Sequence, residues 1–162
     1  MAAAAAAAAA ATAHLGTPAS SIPSGLDVFK TLPDFFILPE LVFGGWVWIL
    51  VAATKVSNQM NQGWVMFVSV TLFLFSLILL FVYLFGIHKT SSAIWTAVDA
   101  IYHGISAVLY FSAAVLQANA TVAIQSSNDV NYKLDVAATV FSFVVTLLYV
   151  VHGFFSFRRW RS

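Results

Sequence analysis

One long apolar stretch, Trp64 to Gly86, constrains this chain more than any other feature of its sequence. It reads WVMFVSVTLFLFSLILLFVYLFG and contains no ionisable side chain other than that of Tyr83. A helix needs about 20 predominantly apolar residues to cross the roughly 30 Å hydrocarbon core of a bilayer, because each residue advances it by about 1.5 Å. The stretch is therefore predicted to be a transmembrane helix.

The composition of the whole chain agrees with a membrane location. Of the 162 residues, 61% are hydrophobic and only 8% are charged, with a mean hydropathy of +0.91. Soluble domains carry about 25% charged residues, so a soluble globular enzyme is excluded. A formal net charge of +1 leaves no basic surface that would favour a nucleic-acid partner. Because the chain has no cysteine, disulfides, thiol nucleophiles and cysteine-based zinc sites are excluded as well.

Three further stretches are long and apolar enough to span a membrane. Four transmembrane helices are predicted, at about 34–54, 64–86, 94–119 and 134–157. The connections between them are short, so the predicted fold is an all-α bundle of four transmembrane helices that occupies residues 34–157 as a single domain.

The regions outside the bundle have a different composition. Residues 1–23 include the Ala2 to Ala11 run and are predicted to form a disordered, low-complexity tail. Residues 24–33 form a juxtamembrane segment, in which Ser24 and Asp27 make a capping pattern that favours a short helix. Residues 158–162 are predicted to be a basic cytoplasmic tail.

The distribution of basic residues predicts the orientation. With an even number of spans, both termini lie on the same side of the membrane. Lys30, Lys89 and three C-terminal arginines fall on that side, whereas Lys55 and Lys133 fall on the other. The positive-inside rule therefore places both termini in the cytoplasm.

Polar side chains in the cytoplasmic half of the predicted spans are the main functional candidates. They form a predicted intramembrane polar cluster of Glu40, Tyr83, Asp99, His103 and His152. An ionisable residue in a membrane span is costly unless it is paired or hydrated. The cluster could staple the helices together, hold a lipid headgroup, or relay protons or ions. The outer half of the second span offers only Ser69 and Thr71, which argues against conduction.

Other residues are candidates for lipid contact and for helix packing. The lipid-contact candidates are Trp46, Trp48, Tyr83, Arg158, Arg159 and Arg161. The two tryptophans could form a platform for a sterol or sphingolipid chain or simply pack in the core, and the arginines could attract anionic lipids or only determine topology. Small residues that let helices approach closely are Gly44, Gly45, Ala100, Gly104, Ala138, Ser142 and Thr146.

The sequence predicts neither catalysis nor a metal site. It contains none of the common nucleophile, metalloprotease or nucleotide-binding motifs. Because His14 lies in the tail and His88 in a short loop, no two histidines have a spacing typical of metal ligands. No catalytic residue, metal or cofactor is therefore expected, apart from bound cholesterol or sphingolipid.

Four segments carry a resemblance to a known family. These segments resemble the MAL proteolipid family, whose members have MARVEL domains. They are IPSGLDVFKTLPD, LVFGGWVWILVAA, QGWVMFVSV and FRRWRS, which begin at residues 22, 41, 62 and 157. The resemblance extends from about Ile22 to the end of the chain, and QGWVMFVSV is its most specific part.

This resemblance implies a function without catalysis. It implies a tetraspan protein that organises cholesterol- and sphingolipid-rich membrane and supports vesicle trafficking, apical sorting or myelin-type membrane organisation. The implied locations are the plasma membrane and Golgi or endosomal vesicles, and the expected partners are membrane lipids, further copies of the chain and trafficking cargo proteins. Two alternatives remain: a small channel or proton-coupled transporter that uses the polar cluster, and a membrane adaptor that binds partners through its termini.

Overall fold

The computed structural model describes residues 21–124 and 130–162. Within these ranges it contains four long helices, α1 (Ile37–Ala53), α2 (Gln59–Leu84), α3 (Ser92–Ala123) and α4 (Val130–Arg161). Short 3-10 helices occupy Gly25–Phe29, Asp34–Phe36 and Ile87–Ser91. All four long helices have the length and apolar composition of membrane spans. The prediction of a four-helix transmembrane fold is confirmed.

The start of α2 lies earlier in the chain than the predicted boundary at Trp64. The Asn58 side chain accepts a hydrogen bond from the backbone N–H of Asn61 at 3.2 Å, and the Gln62 side chain accepts one from the backbone N–H of Asn58 at 3.0 Å. These two bonds satisfy donors that the first turn of a helix otherwise leaves unpaired. The polar residues before Trp64 are therefore the first turn of the helix rather than a loop.

Residues 158–161 are the last turn of α4 rather than a separate basic tail, and the predicted boundary at residue 157 is corrected accordingly. Arg158 and Arg161 point outward, whereas Arg159 is buried among carboxylates of the bundle. That buried ion pairing holds the end of the helix in place.

The juxtamembrane segment packs onto the bundle as a 3-10 helix. The Ser24 side chain makes no capping hydrogen bond, so the predicted cap is wrong, although the segment is helical over Gly25–Phe29. Val28 is fully buried in a cluster that includes Ile22, Ile37 and Tyr83. Residues 1–20, which contain the alanine run, lie outside the described residues, as does the 125–129 part of the loop between α3 and α4.

The helices pack in a closed ring around an apolar centre. Each helix contacts its neighbours in the sequence, and α4 also packs against α1, with the most extensive interface between α3 and α4. The central buried residues are mainly aliphatic, with two tyrosines among them: Val47, Val51, Val65, Val68, Leu72, Tyr110, Ala113, Ala138, Val145 and Tyr149. This mainly apolar centre lies between the polar groups at the two ends of the bundle.

Candidate functional site

A buried group of ionisable side chains lies at the end of the bundle where α1 begins and α4 ends. It unites the five predicted cluster residues with two others, and we call it the ionisable cluster: Asp34, Glu40, Tyr83, Asp99, His103, His152 and Arg159. All four helices and the 3-10 turn before α1 contribute to it. Arg159 is 7% exposed, and the others are 1% exposed or less.

One half of the ionisable cluster is centred on Arg159. Its guanidinium donates two hydrogen bonds to Asp34, at 2.7 Å to Oδ2 and 3.0 Å to Oδ1, and a third to Asp99 Oδ2 at 2.8 Å. The hydroxyl of Tyr83 donates to the other oxygen of Asp99 at 2.6 Å. Bidentate arginine–carboxylate pairs are among the strongest hydrogen-bonded pairs in proteins. This half therefore joins α2, α3 and α4 to the entry of α1.

The other half contains two histidines that face Glu40. His152 Nδ1 lies 2.8 Å from Glu40 Oε1, and His103 Nε2 lies 3.5 Å from Glu40 Oε2. The other ring nitrogen of His103, Nδ1, lies 2.8 Å from the backbone oxygen of Asp99. The two imidazole centroids are 3.5 Å apart. Residues on three different helices thus converge on one point in the bundle interior.

The charges in the ionisable cluster do not balance when both histidines are neutral. Three carboxylates, those of Asp34, Glu40 and Asp99, face the single guanidinium of Arg159. Two negative charges then remain uncompensated in a buried site, which is strongly unfavourable. Two further positive charges, brought by protons or by a bound cation, would restore the balance.

A group of residues in the ionisable cluster could hold a metal ion. Glu40, His103 and His152 each offer one ligand atom, and these atoms lie within 4.8 Å of one another. One ligand atom from each of Asp34, Asp99 and His152 also lies within 4.8 Å of the others, but the guanidinium of Arg159 already bridges those two carboxylates. Sequence spacing did not predict that His103 and His152 lie close enough to share a metal ion, because the two residues are on different helices.

Two members of the ionisable cluster were not predicted to belong to it. Asp34 was only the first residue of the predicted first span, and Arg159 was expected to contact lipid or determine topology. Their positions in the sequence could have indicated this pairing. In two antiparallel helices, the start of one lies beside the end of the other, so an acidic residue at the start of the first span can meet a basic residue at the end of the fourth.

The structure separates the lipid-contact candidates into outer and inner residues. Trp46 is 48% exposed on the outer face of α1, and Trp48 is half-buried with its ring edge-on to Phe73. Arg158 and Arg161 are exposed. Tyr83 and Arg159 are buried by the hydrogen bonds of the ionisable cluster, so both expected lipid contacts are corrected to internal ones.

Most of the small residues predicted for helix packing lie at interfaces. A Cβ atom on Gly44 would lie 3.3 Å from Tyr110 Oη, and one on Gly45 would lie 3.4 Å from Phe73. Further buried small residues of this set are Ala100, Ala138, Ser142 and Thr146.

Gly104 is the exception among the small residues. A Cβ atom added there would meet nothing within 4 Å. Its backbone nitrogen instead lies 3.3 Å from the Cβ position of Gly153 on α4, a residue that was not singled out. The close approach of α3 and α4 therefore depends on Gly153 rather than on the small size of Gly104.

A second buried polar network lies at the opposite end of the bundle. Asp135 Oδ1 accepts hydrogen bonds from Gln62 Nε2 at 2.6 Å and from Gln117 Nε2 at 2.9 Å. Thr121 Oγ1 also donates to the backbone oxygen of Asp135 at 3.2 Å. The start of α2, the end of α3 and the start of α4 are joined by these bonds, which the sequence analysis did not predict.

Comparison with known proteins identifies similar chains over nearly the whole length. The MARVEL family, described as a membrane-associating domain, matches residues 28–155. Myelin and lymphocyte protein is 48% identical over 144 residues in Canis lupus familiaris, covering 88% of this chain and 94% of that protein. The Homo sapiens protein of the same name is 47% identical over 147 residues, which cover 90% of this chain and 95% of that protein. CKLF-like MARVEL transmembrane domain-containing protein 8 of Homo sapiens is 34% identical over 150 residues, which cover 92% of this chain and 86% of that protein. No solved structure matches the chain.

Proposed function

The chain belongs to the MAL proteolipid family and has a MARVEL domain, and from this premise we propose that it organises cholesterol- and sphingolipid-rich membrane domains. As a multi-pass membrane protein it would act in vesicle trafficking, apical sorting or myelin-type membrane organisation. The proposal places both termini in the cytoplasm and the protein in the plasma membrane and Golgi or endosomal vesicles. It involves no catalytic step.

The observation that carries the proposal is the apolar outer surface of long helices. In helix α2 the apolar run from Trp64 to Leu84 corresponds to about 32 Å at 1.5 Å per residue. Large apolar side chains project from the four helices, among them Val42, Trp46, Ile49, Phe67, Leu74, Phe75, Ile78, Phe81, Ile105, Val108, Phe111, Phe143, Leu147 and Phe154. Bilayers rich in sterol and sphingolipid are a few Å thicker than average, and long apolar helices are accommodated there at lower cost.

The proposed mechanism adds many weak preferences. Each helix gains only fractions of a kcal/mol per Å of improved thickness match. If several copies associate, the free-energy gains of their helices add up, and the assembly is surrounded preferentially by thicker, ordered bilayer. The exposed apolar faces of the helices are compatible with such self-association.

The test is the lipid that remains bound to the full chain. The protein would be purified in a mild detergent, and its co-purifying lipids would be identified by native mass spectrometry and compared with the bulk membrane. We expect enrichment of sphingolipid or sterol. Retained lipid with the bulk composition would contradict the proposal and direct attention to flux and to protein partners.

The alternative of a channel or transporter has weaker support. Hydroxyl groups do continue from the ionisable cluster toward the bundle centre, since Ser76 Oγ lies 2.8 Å from Tyr102 Oη and 2.9 Å from Tyr149 Oη. Beyond them, the bundle centre is mainly aliphatic, and the buried Tyr110 hydroxyl makes no hydrogen bond that would continue the chain toward Asp135. In reconstituted vesicles, a Glu40→Gln, Asp99→Asn double variant would abolish flux if the cluster conducted; the lipid-organising role predicts no flux in the wild type.

The adaptor alternative needs a test that leaves the bundle intact. Deletion of residues 157–162 would remove Arg159 from Asp34 and Asp99 and so disturb the fold. Replacing only the exposed Arg158 and Arg161 with alanine avoids this problem. Redirected trafficking with unchanged lipid association in that double variant would favour a partner-binding role.

A further inference from the structure

We propose that Glu40, His103 and His152 form a binding site for a divalent transition-metal ion, with Zn²⁺ as the best match. The site would hold the metal through one carboxylate oxygen and two imidazole nitrogens. Its existence is independent of the lipid-organising role, because the residues lie in the bundle interior and not on the lipid-facing surface.

The distances suit coordination to a common ion. Zinc binds carboxylate oxygen and imidazole nitrogen at about 2.0–2.2 Å in tetrahedral geometry, which places two ligand atoms roughly 3.3–3.5 Å apart. Glu40 Oε2 and His103 Nε2 are 3.5 Å apart. With His152 included, the three ligand atoms lie within 4.8 Å of one another.

Each of the three residues has a buried atom without a protein hydrogen-bond partner. These atoms are Glu40 Oε2, His103 Nε2 and His152 Nε2. Buried polar atoms are nearly always hydrogen-bonded, and exceptions call for an explanation such as an ion. The side chains of all three residues are fully buried. Of these atoms, Glu40 Oε2 and His103 Nε2 face each other at 3.5 Å, and a metal ion would use the lone pairs of both.

The charge of the ionisable cluster fits a divalent cation. With neutral histidines, its three carboxylates and one guanidinium leave two negative charges uncompensated. One M²⁺ ion neutralises them.

The surroundings of His103 prepare it to act as a ligand. Its Nδ1 lies 2.8 Å from the backbone oxygen of Asp99 and 3.3 Å from Asp99 Oδ1. A proton on Nδ1 is therefore held by Asp99, which leaves the lone pair on Nε2. This carboxylate–histidine arrangement typically supports metal-binding histidines.

The ligand types select the metal. Calcium and magnesium prefer sites made of oxygen ligands, whereas imidazole suits zinc and its transition-metal neighbours. Because the ligands come from α1, α3 and α4, the ion would clamp three helices together. Three protein ligands leave a fourth position for water or another cluster oxygen.

The first experiment measures metal content in the full chain. The protein would be expressed without a polyhistidine tag, purified in mild detergent with metal-free buffers, and analysed by inductively coupled plasma mass spectrometry. We expect about one zinc ion per chain in the wild type. His103→Gln and His152→Gln should lose it. The matched control is His88→Gln, because His88 is a buried histidine bonded to the Ile22 backbone outside the metal-binding group.

The second experiment measures binding and its ligands. Chelator-treated protein would be titrated with Zn²⁺ against a chromophoric competitor, and the loaded form examined by X-ray absorption spectroscopy. Loss of a direct ligand should weaken binding by more than the 10- to 100-fold that loss of an outer-shell partner costs. The spectrum should show two imidazoles and oxygen.

Two outcomes would overturn the proposal. The first is a folded wild type that neither retains zinc nor binds it at a ratio near one per chain. The second is binding that is unchanged in His103→Gln and His152→Gln. If those variants do not fold, the wild-type stoichiometry and its absorption spectrum decide.

Discussion

Arg159 and Asp34, which are 125 positions apart in the sequence, form a bidentate ion pair with N–O distances of 2.7 and 3.0 Å. The same guanidinium reaches Asp99 at 2.8 Å. The last turn of α4 is thereby tied to the entry of α1 and to α3. A basic residue that resembles a topology signal in the sequence is a structural element of the bundle.

Replacing Arg159 with methionine should destabilise the protein strongly. The change leaves Asp34 and Asp99 buried without their partner, which typically costs about 3–5 kcal/mol. The measurement is unfolding by SDS titration in lipid–detergent bicelles. Arg158→Met is the matched control, since Arg158 is exposed and should change the free energy of unfolding by only about 0.5 kcal/mol or less. Equal effects of the two variants would refute the assignment.

Replacing Gly153 with alanine should weaken the α3–α4 interface, whereas Gly104→Ala should not. The added methyl at 153 would lie 3.3 Å from backbone atoms of His103 and Gly104, which cannot move aside easily. Overpacking of this kind costs about 1–3 kcal/mol. Both variants would be compared in the same unfolding assay. A loss at position 104 without one at 153 would show that the interface has been assigned to the wrong glycine.

Replacing Tyr83 with phenylalanine should lower stability without changing the bound lipid. The variant loses the 2.6 Å hydrogen bond to Asp99, and interhelical bonds of this kind contribute about 0.6–1.7 kcal/mol. Because Tyr83 has no exposed surface, its loss should leave lipid enrichment unchanged. Unfolding and native mass spectrometry would be measured on the same preparation. Trp46→Leu, on the outer face, serves as the comparison for lipid effects. Altered lipid in Tyr83→Phe alone would contradict the internal role.

Replacing Arg158 and Arg161 with alanine should reduce the retention of anionic lipids. Both side chains are exposed at the end of α4, and each basic residue near a membrane surface contributes roughly 1 kcal/mol of attraction to anionic lipid. Mass spectrometry of co-purified lipids would measure the effect. Lys55→Ala, at the other end of the bundle, is the control and should leave the fraction of anionic lipid retained by the arginines unchanged. If the arginine variant and the control retain the same amount of anionic lipid, the two arginines act only as topology determinants.

Side-chain roles were harder to predict than helix positions. Glu40, Asp99 and His152 were recognised because an ionisable residue is conspicuous in an apolar span. Arg159 and Gly153 were not, because a basic residue at a helix end and a glycine among aromatic residues each have ordinary local explanations. Only the rotation of α4 about its axis decides that both face inward.

The sequence by itself determined the number and approximate positions of the membrane spans. Transfer of a helix into a bilayer depends on the local sum of apolar side chains, which can be calculated without knowledge of any partner. Tertiary structure alone decided which polar groups meet: His103 with His152, Arg159 with Asp34, and Asp135 with Gln62. These pairs depend on the relative rotation and height of helices that are distant in the sequence. That arrangement follows from packing of the whole bundle and from the high cost of leaving a buried charge without a partner.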